Sequence, residues 1–180
     1  FLMNTYLMIE ILFPRTKNIS EVVEILEKYK NFGVNTNLRL AHFLAQVREE
    51  VGPEFKVIRE NLNYSKESAL KIFKNMTFEE ADKYARDFDT PIANQVAIAN
   101  IAYANKLGNG SKDSNFNGKL DEDDDGWKYR GAGCLQITGK YNFQEVQKRC
   151  VKYAGKEFDP DTIEGFIVFG MAFWIQHDLY

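Results

Sequence analysis

Residues Leu40–Val51 read LAHFLAQVREEV, and their apolar positions recur at helical spacing. When residues are placed about 100° apart, as in an α-helix, Leu44 and Val47 fall within about 40° of Leu40. These residues form an apolar stripe, and Glu50 lies at its edge. A carboxyl at that edge is half immersed in the apolar layer, which disfavours its charged form. We therefore expect Glu50 to be half-buried and able to keep a proton near neutral pH, as a general acid must.

Capping signals mark further helices on both sides of this stretch. Asn, Ser or Thr precedes most of the apolar runs, and glycine, or the pair Gly52-Pro53, follows several of them. The last run has almost no polar face, so we expect a core helix there. The fold class is therefore predicted to be mainly α. The predicted helices cover Ser20–Lys30, Asn37–Val51, Ser65–Lys74, Thr77–Arg86, Pro91–Leu107, Lys140–Ala154 and Thr162–His177.

Composition limits the class of protein. A chain of 180 residues with 44% apolar and 27% charged residues is typical of one compact domain, which we place over residues 1–180. The net charge of −3 argues against a nucleic-acid partner. The apolar opening, Phe1–Phe13, is too short to cross a membrane, so we expect no stable membrane insertion. We expect a monomer whose two cysteines, Cys134 and Cys150, are free thiols. The alternative is one disulfide between them.

The helical period disappears between Gly108 and Gly139, where glycine, aspartate and asparagine dominate. Within residues 108–126, oxygen ligands stand at the positions of an EF-hand-type loop, with glycine at the sixth position. We expect this loop to be an insertion that holds a structural Ca²⁺ ion, the alternative being a solvated acidic loop. The predicted ligands are the side chains of Asp113, Asn115, Asn117, Asp121 and Asp124 and the backbone carbonyl of Lys119.

Several other motifs follow one another in a fixed order. Residues 42–50 read HFLAQVREE, residues 59–64 read RENLNY, and residues 98–110 read IANIAYANKLGNG. Residues 125–133 read DGWKYRGAG, and residues 135–143 read LQITGKYNF. Together they resemble glycoside hydrolase family 19, especially its bacterial and phage members that lyse cell walls.

The resemblance implies a mainly α, lysozyme-like, two-lobed fold that cleaves a β-1,4 bond between amino sugars with inversion. Glu50 falls at the family's general acid, and Glu60 at the second carboxylate of the lytic members, the expected base. Thr138 falls at the hydroxyl residue that helps hold the attacking water. An inverting hydrolase needs two carboxyl groups about 6.5 to 9.5 Å apart and no cofactor for catalysis. The alternative for Glu60 is a surface charge beside Arg59.

The resemblance also implies which residues bind the substrate and what the substrate is. The expected partner is peptidoglycan, cut in the manner of an endolysin or lysozyme, with synthesis in the cytoplasm and action at the peptidoglycan layer. A chitinase is the alternative, because the motifs do not distinguish the lactyl group of muramic acid. The expected substrate-binding residues are Tyr64, Tyr129, Arg130, Gln136 and Asn142.

The chain departs from the family pattern at three places. Glu49 stands where histidine usually precedes the acid, Val51–Glu54 replaces Ser-Gly-Gly, and Ala132 replaces the arginine of Gly-Arg-Gly. The departures at Glu49 and Ala132 favour a third alternative, a non-catalytic, calcium-dependent protein that binds cell walls. The family's chain also continues beyond the point matching Tyr180, so two alternatives stay open: a domain truncated at its C-terminus, or a natural protein that is short.

Overall fold

The computed structural model describes the backbone of residues 2–176 and the side chains of residues 4–175. This part of the chain forms nine α-helices and two isolated β-bridges, with no β-strand, so the mainly α prediction is confirmed. Short 3-10 helices cover Lys30–Phe32 and Gly52–Glu54. The helices are α1 (Leu2–Leu12), α2 (Ile19–Lys28), α3 (Asn37–Val51), α4 (Lys66–Ile72), α5 (Phe78–Tyr84), α6 (Gln95–Ala102), α7 (Asp125–Lys128), α8 (Lys140–Ala154) and α9 (Ile163–Gln176).

Most predicted helices occur within two residues of their expected bounds, and several begin at the expected cap. The Thr77 side chain accepts a hydrogen bond from the Glu80 N–H, and the Glu80 side chain accepts one from the Thr77 N–H, which completes the predicted capping box. Asn18 precedes α2 as expected, but its side chain does not cap the helix. The predicted end of the last helix, His177, lies outside the described residues. Neither α1 nor α7 was predicted.

The predicted helix Pro91–Leu107 is wrong in both bounds. Helix α6 begins only at Gln95, because the Asn94 side chain accepts a hydrogen bond from the Ala97 N–H and caps it there. Thr90 is instead part of a turn, in which its N–H donates to the Asp87 carboxylate over 2.6 Å.

The chain divides into two compact units. Unit one comprises the residues up to Arg59, Gly131–Ile137 and the residues from Phe143 onward. In it α1 packs on α2 and α3, and α9 packs on the same two helices. Helix α9 is a core helix as predicted, with Phe166 and Phe169 fully buried. The core is rich in aromatic rings in edge-to-face contact, such as Phe43 with Trp174.

Unit two comprises Glu60–Arg130 and Thr138–Asn142. Its core is formed mostly by small and aliphatic side chains, including Ala69 of α4, Ala81 of α5 and Ile98 of α6, together with Phe73. Helix α7 lies against α6 at Gly126, where a Cβ atom would meet the backbone of Ala99 and Asn100. The loop before α7 therefore ends in a tightly packed helical turn.

Two further expectations were that the chain has no stable membrane insertion and that its two cysteines are free thiols. Among the described helices, none is both long and apolar enough to cross a membrane. Cys134 and Cys150 are both buried and unpaired, so the free-thiol prediction is confirmed. Burial raises the pKa of both thiols, that of Cys150 to about 12, which keeps them protonated.

Candidate active site

Glu50, the expected general acid, lies in the last turn of α3 in unit one. Thr36 caps the start of this helix, since its side chain accepts a hydrogen bond from the Arg39 N–H over 3.2 Å. Leu40, Phe43, Leu44 and Val47 are fully buried, as the apolar stripe predicts. Glu50 itself is exposed, so the expectation of a half-buried carboxyl is wrong. The physical reason is that packing over the stripe weakens after Val47, since Val51, one turn further along, is only half-buried.

The chain turns sharply just after Glu50. Gly52 has φ 74°, a left-handed conformation that glycine adopts without strain, and the 3-10 helix Gly52–Glu54 follows it. Glu54 forms an ion pair with Lys56. The hydrogen bond and charge of Lys56 hold the pKa of Glu54 below its usual value. Glu54 is therefore paired locally, and Glu50 stays the carboxyl that the resemblance predicts as the general acid.

Glu60, the expected base, lies in unit two and is held by a tyrosine. The Tyr103 hydroxyl donates a hydrogen bond to Glu60 Oε1 over 2.5 Å. Burial raises the pKa of Tyr103 well above its usual value, and the hydrogen bond to Glu60 and the proximity of Tyr64 raise it further. Tyr103 therefore stays a neutral donor at any pH at which the protein would be assayed.

Arg59, the residue before Glu60, contacts Asp161. Its guanidinium binds Asp161 in unit one through two hydrogen bonds, Nε to Oδ1 over 2.6 Å and Nη2 to Oδ2 over 3.1 Å. Asp161 is thus one partner of Arg59, and Tyr103 is one partner of Glu60. Glu60 is half-buried, and its role as the base stays a prediction.

Thr138 lies in unit two in a segment whose backbone is fixed at several points. Its carbonyl accepts a hydrogen bond from the Asn142 amide over 2.8 Å. The next residue, Gly139, has φ 95° and donates its N–H to the Tyr129 carbonyl over 2.8 Å. A Cβ at Gly139 would overlap the Leu107 side chain. These contacts hold the Thr138 backbone in one place, as a residue that orients water requires.

The expected substrate-binding residues are divided between the units. Tyr64, Tyr129, Arg130 and Asn142 lie in unit two, together with Glu60 and Thr138, whereas Gln136 lies in unit one with Glu50. The Arg130 guanidinium stacks on the Trp127 ring, 3.4 Å from its centroid, and donates to the Trp127 carbonyl. Gln136 has φ 49°, and its side-chain amide donates to the Gly133 carbonyl over 3.0 Å.

The predicted calcium loop is cross-linked by its own side chains. The Asp113 carboxylate accepts hydrogen bonds from the N–H groups of Asn117 and Gly118. The side-chain amides of Asn115 and Asn117 donate to Asp121, and the bond from Asn117 contributes most to lowering the pKa of that carboxyl.

Asp124, the last predicted calcium ligand, is fully buried. Its carboxylate accepts four hydrogen bonds, two from Ser114 and one each from the N–H groups of Asn115 and Asp121. The predicted ligands offer carboxylate, amide and carbonyl oxygens, which are the ligand atoms that calcium prefers. No group of three or more His, Cys, Asp or Glu side chains among the described residues is arranged to hold a metal ion. Calcium binding stays a prediction.

Comparison with known proteins shows which family the chain belongs to. No protein-family model matches the chain. A protein of Haemophilus influenzae, described as a glycosyl hydrolase family 19 domain-containing protein, is 36% identical over 135 residues, which is 74% of this chain. This chain belongs to glycosyl hydrolase family 19. It spans 57% of the length of that relative, a little over half.

Membership of family 19 confirms the resemblance that the sequence motifs indicated. It leaves the departures from the family pattern to be explained. Ala132, which stands where the family has arginine, is completely buried, and its N–H donates to the Ile137 carbonyl over 3.0 Å. A guanidinium could not occupy the same volume without displacing its neighbours. The alanine at this position therefore fits the close packing of unit one.

Two residues that sequence reasoning did not single out hold other parts of unit two in place. Tyr103 lies in a family motif, but nothing in the sequence connects it to Glu60, which is 43 positions away. Asp125 is buried and accepts hydrogen bonds from the Gly110 N–H and the Lys140 ammonium group. Asp125 follows a stretch rich in glycine, aspartate and asparagine, but its burial, and with it the need for hydrogen-bond partners, is visible only in the structure.

Proposed function

We propose that this family 19 chain hydrolyses the β-1,4 bonds between amino sugars of peptidoglycan, with inversion at the anomeric carbon, in the manner of an endolysin or lysozyme. Family membership is the observation that carries the proposal. The lytic-type segment Arg59–Tyr64 favours peptidoglycan over chitin. We place the site of action at the peptidoglycan layer.

In the proposed reaction, protonated Glu50 donates its proton to the glycosidic oxygen as the bond from that oxygen to the anomeric carbon breaks. Ionised Glu60 takes a proton from a water molecule, whose oxygen attacks the anomeric carbon from the opposite face. Thr138 orients that water. Water is the only co-reactant, and the proton gained by Glu60 returns to solvent while Glu50 is protonated again.

The exposure of Glu50 changes how its proton must be retained. Since the α3 helix does not bury this carboxyl, we propose that bound sugar excludes water from it and so disfavours its charged form. Exposure also means that replacing Glu50 removes chemistry without removing packing.

The test compares purified peptidoglycan with chitin oligomers as substrates, and measures release of reducing ends and the masses of the products. Wild type is compared with Glu50→Gln and with Glu24→Gln, a control that changes an exposed carboxyl on α2 of the same unit. We expect release from peptidoglycan by wild type and by the control, and its loss in Glu50→Gln. Cleavage of chitin alone would identify a chitinase. Cell-wall binding without new reducing ends would identify a binding protein.

A further inference from the structure

We propose that Tyr103 is a positioning residue for Glu60, fixing the orientation of that carboxylate for proton abstraction from water. This inference rests on the proposed function, in which Glu60 is the base. Tyr103 lies within unit two, as Glu60 does. Nothing in the proposed mechanism uses Tyr103 directly, so its role is exerted through the carboxylate that it contacts.

The backbone of Tyr103 is fixed at the C-terminal end of α6. Its N–H donates to the Ala99 carbonyl over 3.0 Å, and its carbonyl accepts a hydrogen bond from the Asn109 amide over 3.1 Å. The ring packs against the core of unit two. With the backbone and the ring both held, the hydroxyl has little freedom to move away from Glu60 Oε1.

The N-terminal end of α6 holds the chain that follows Glu60. The Gln95 side chain accepts a hydrogen bond from the Leu62 N–H over 2.9 Å, and Leu62 is fully buried. The Asn63 side chain accepts one from the Ala93 N–H over 2.8 Å. Helix α6 and the residues at its two ends therefore anchor both the backbone beyond Glu60 and its carboxylate.

The chemistry of a base explains why such an anchor matters. A glutamate side chain has three rotatable bonds, and a base works only when its carboxylate faces the water that it activates. A carboxylate has about four lone-pair sites, so it can accept the phenol hydrogen bond at Oε1 and still accept a proton from water. Because the phenol remains neutral, it orients the carboxylate without adding charge or exchanging its own proton.

The test is the steady-state kinetics of Tyr103→Phe on whichever substrate wild type cleaves. Tyr84→Phe is the matched control, since Tyr84 is another partly buried tyrosine packed against the same core. We expect Tyr103→Phe to lower kcat by about tenfold to a hundredfold, with KM within about twofold of wild type. We expect its melting temperature to lie close to that of the control.

A double-mutant cycle with Glu60→Gln separates positioning from general structural support. If Tyr103 acts through Glu60, the change Tyr103→Phe has little further effect on kcat when Glu60 is already glutamine. An equal loss of kcat in both backgrounds would overturn the inference. So would a wild-type kcat in Tyr103→Phe, or a loss expressed only in KM.

Failure of the inference and failure of the proposed function give different results. Wild-type activity in Glu60→Gln would show that Glu60 is not the base, which removes the proposed mechanism. Loss of activity in Glu60→Gln together with full activity in Tyr103→Phe would keep Glu60 as the base and reject Tyr103 alone.

Discussion

The two proposed catalytic carboxylates are held in place by different means. Glu50 extends into solvent from the last turn of a regular helix, and its position follows from the capping and the buried stripe of α3. Glu60 lies in irregular chain, and a hydrogen bond from Tyr103, distant in sequence, orients it. Local structure is enough to place the first carboxyl, whereas the second needs a tertiary contact. The two carboxyls should therefore differ in what their removal does to stability.

The largest expected effect is on activity, and it is shared by both carboxyls. Glu50→Ala and Glu60→Ala should each lower kcat by about 10² to 10⁴, the usual contribution of a general acid or base. Only Glu60→Ala should also lower the free energy of unfolding, by about 1–3 kcal/mol, because it leaves the half-buried Tyr103 hydroxyl without this acceptor. Urea denaturation of both variants checks this, and equal stability losses would contradict the comparison.

The next effect concerns the backbone that fixes Thr138. Gly139→Ala should lower the free energy of unfolding by about 2–4 kcal/mol, because the new Cβ would be strained at φ 95° and would overlap Leu107. Gly155→Ala is the control, since Gly155 has φ 74° and open space around it, and should lose only about 1–2 kcal/mol. Urea midpoints for the two variants measure the difference, and equal losses would show that the contact with Leu107 has no energetic weight.

The sequence predicted the α3 region much better than the α6 region. Helix α3 follows from a regular apolar stripe and nearby caps, both of which are local signals. Helix α6 is shorter than predicted because Thr90 enters a turn with Asp87, and because Asn94 provides a later cap. The contact between Tyr103 and Glu60 depends on tertiary packing, for which the sequence holds no periodic signal.

Two other differences between expectation and structure have similar causes. Exposure of Glu50 could not be deduced from a helical wheel, which gives the direction of a side chain but not where the packing partner ends. Helix α1 was missed because both of its faces are apolar, with Ile9 buried and Ile11 exposed, so the run shows no amphipathic period.

A smaller effect is expected for the ion pairs that join α2 to α9 in unit one. Hydrogen bonds from Lys28 and Tyr29 lower the pKa of Glu164 to about 2, against 4.5 for a free side chain. The charged form is therefore stabilised in the folded state, and this stability is present above about pH 4.5 and lost as the pH falls towards 2. Glu164→Gln should flatten the dependence of melting temperature on pH between those values. An unchanged slope would show that the contacts contribute nothing.

The smallest expected effect is that of calcium on the loop at residues 113–124. We expect isothermal titration to detect Ca²⁺ binding by wild type and not by Asp113→Ala, with a modest rise in the wild-type melting temperature. Glu122→Ala, which removes an exposed carboxylate of the loop outside the predicted ligand set, is the control. Absence of binding by wild type would make this a loop closed by its own hydrogen bonds.

The most direct test of the central claim is the configuration of the sugar that is first released. Proton NMR spectra recorded during cleavage of soluble peptidoglycan fragments distinguish the α anomer from the β anomer before they interconvert. Inversion by Glu50 and Glu60 predicts that the α anomer appears first, with no product from Glu50→Gln. Initial release of the β anomer would indicate retention of configuration and would contradict the assignment of Glu60 as the base.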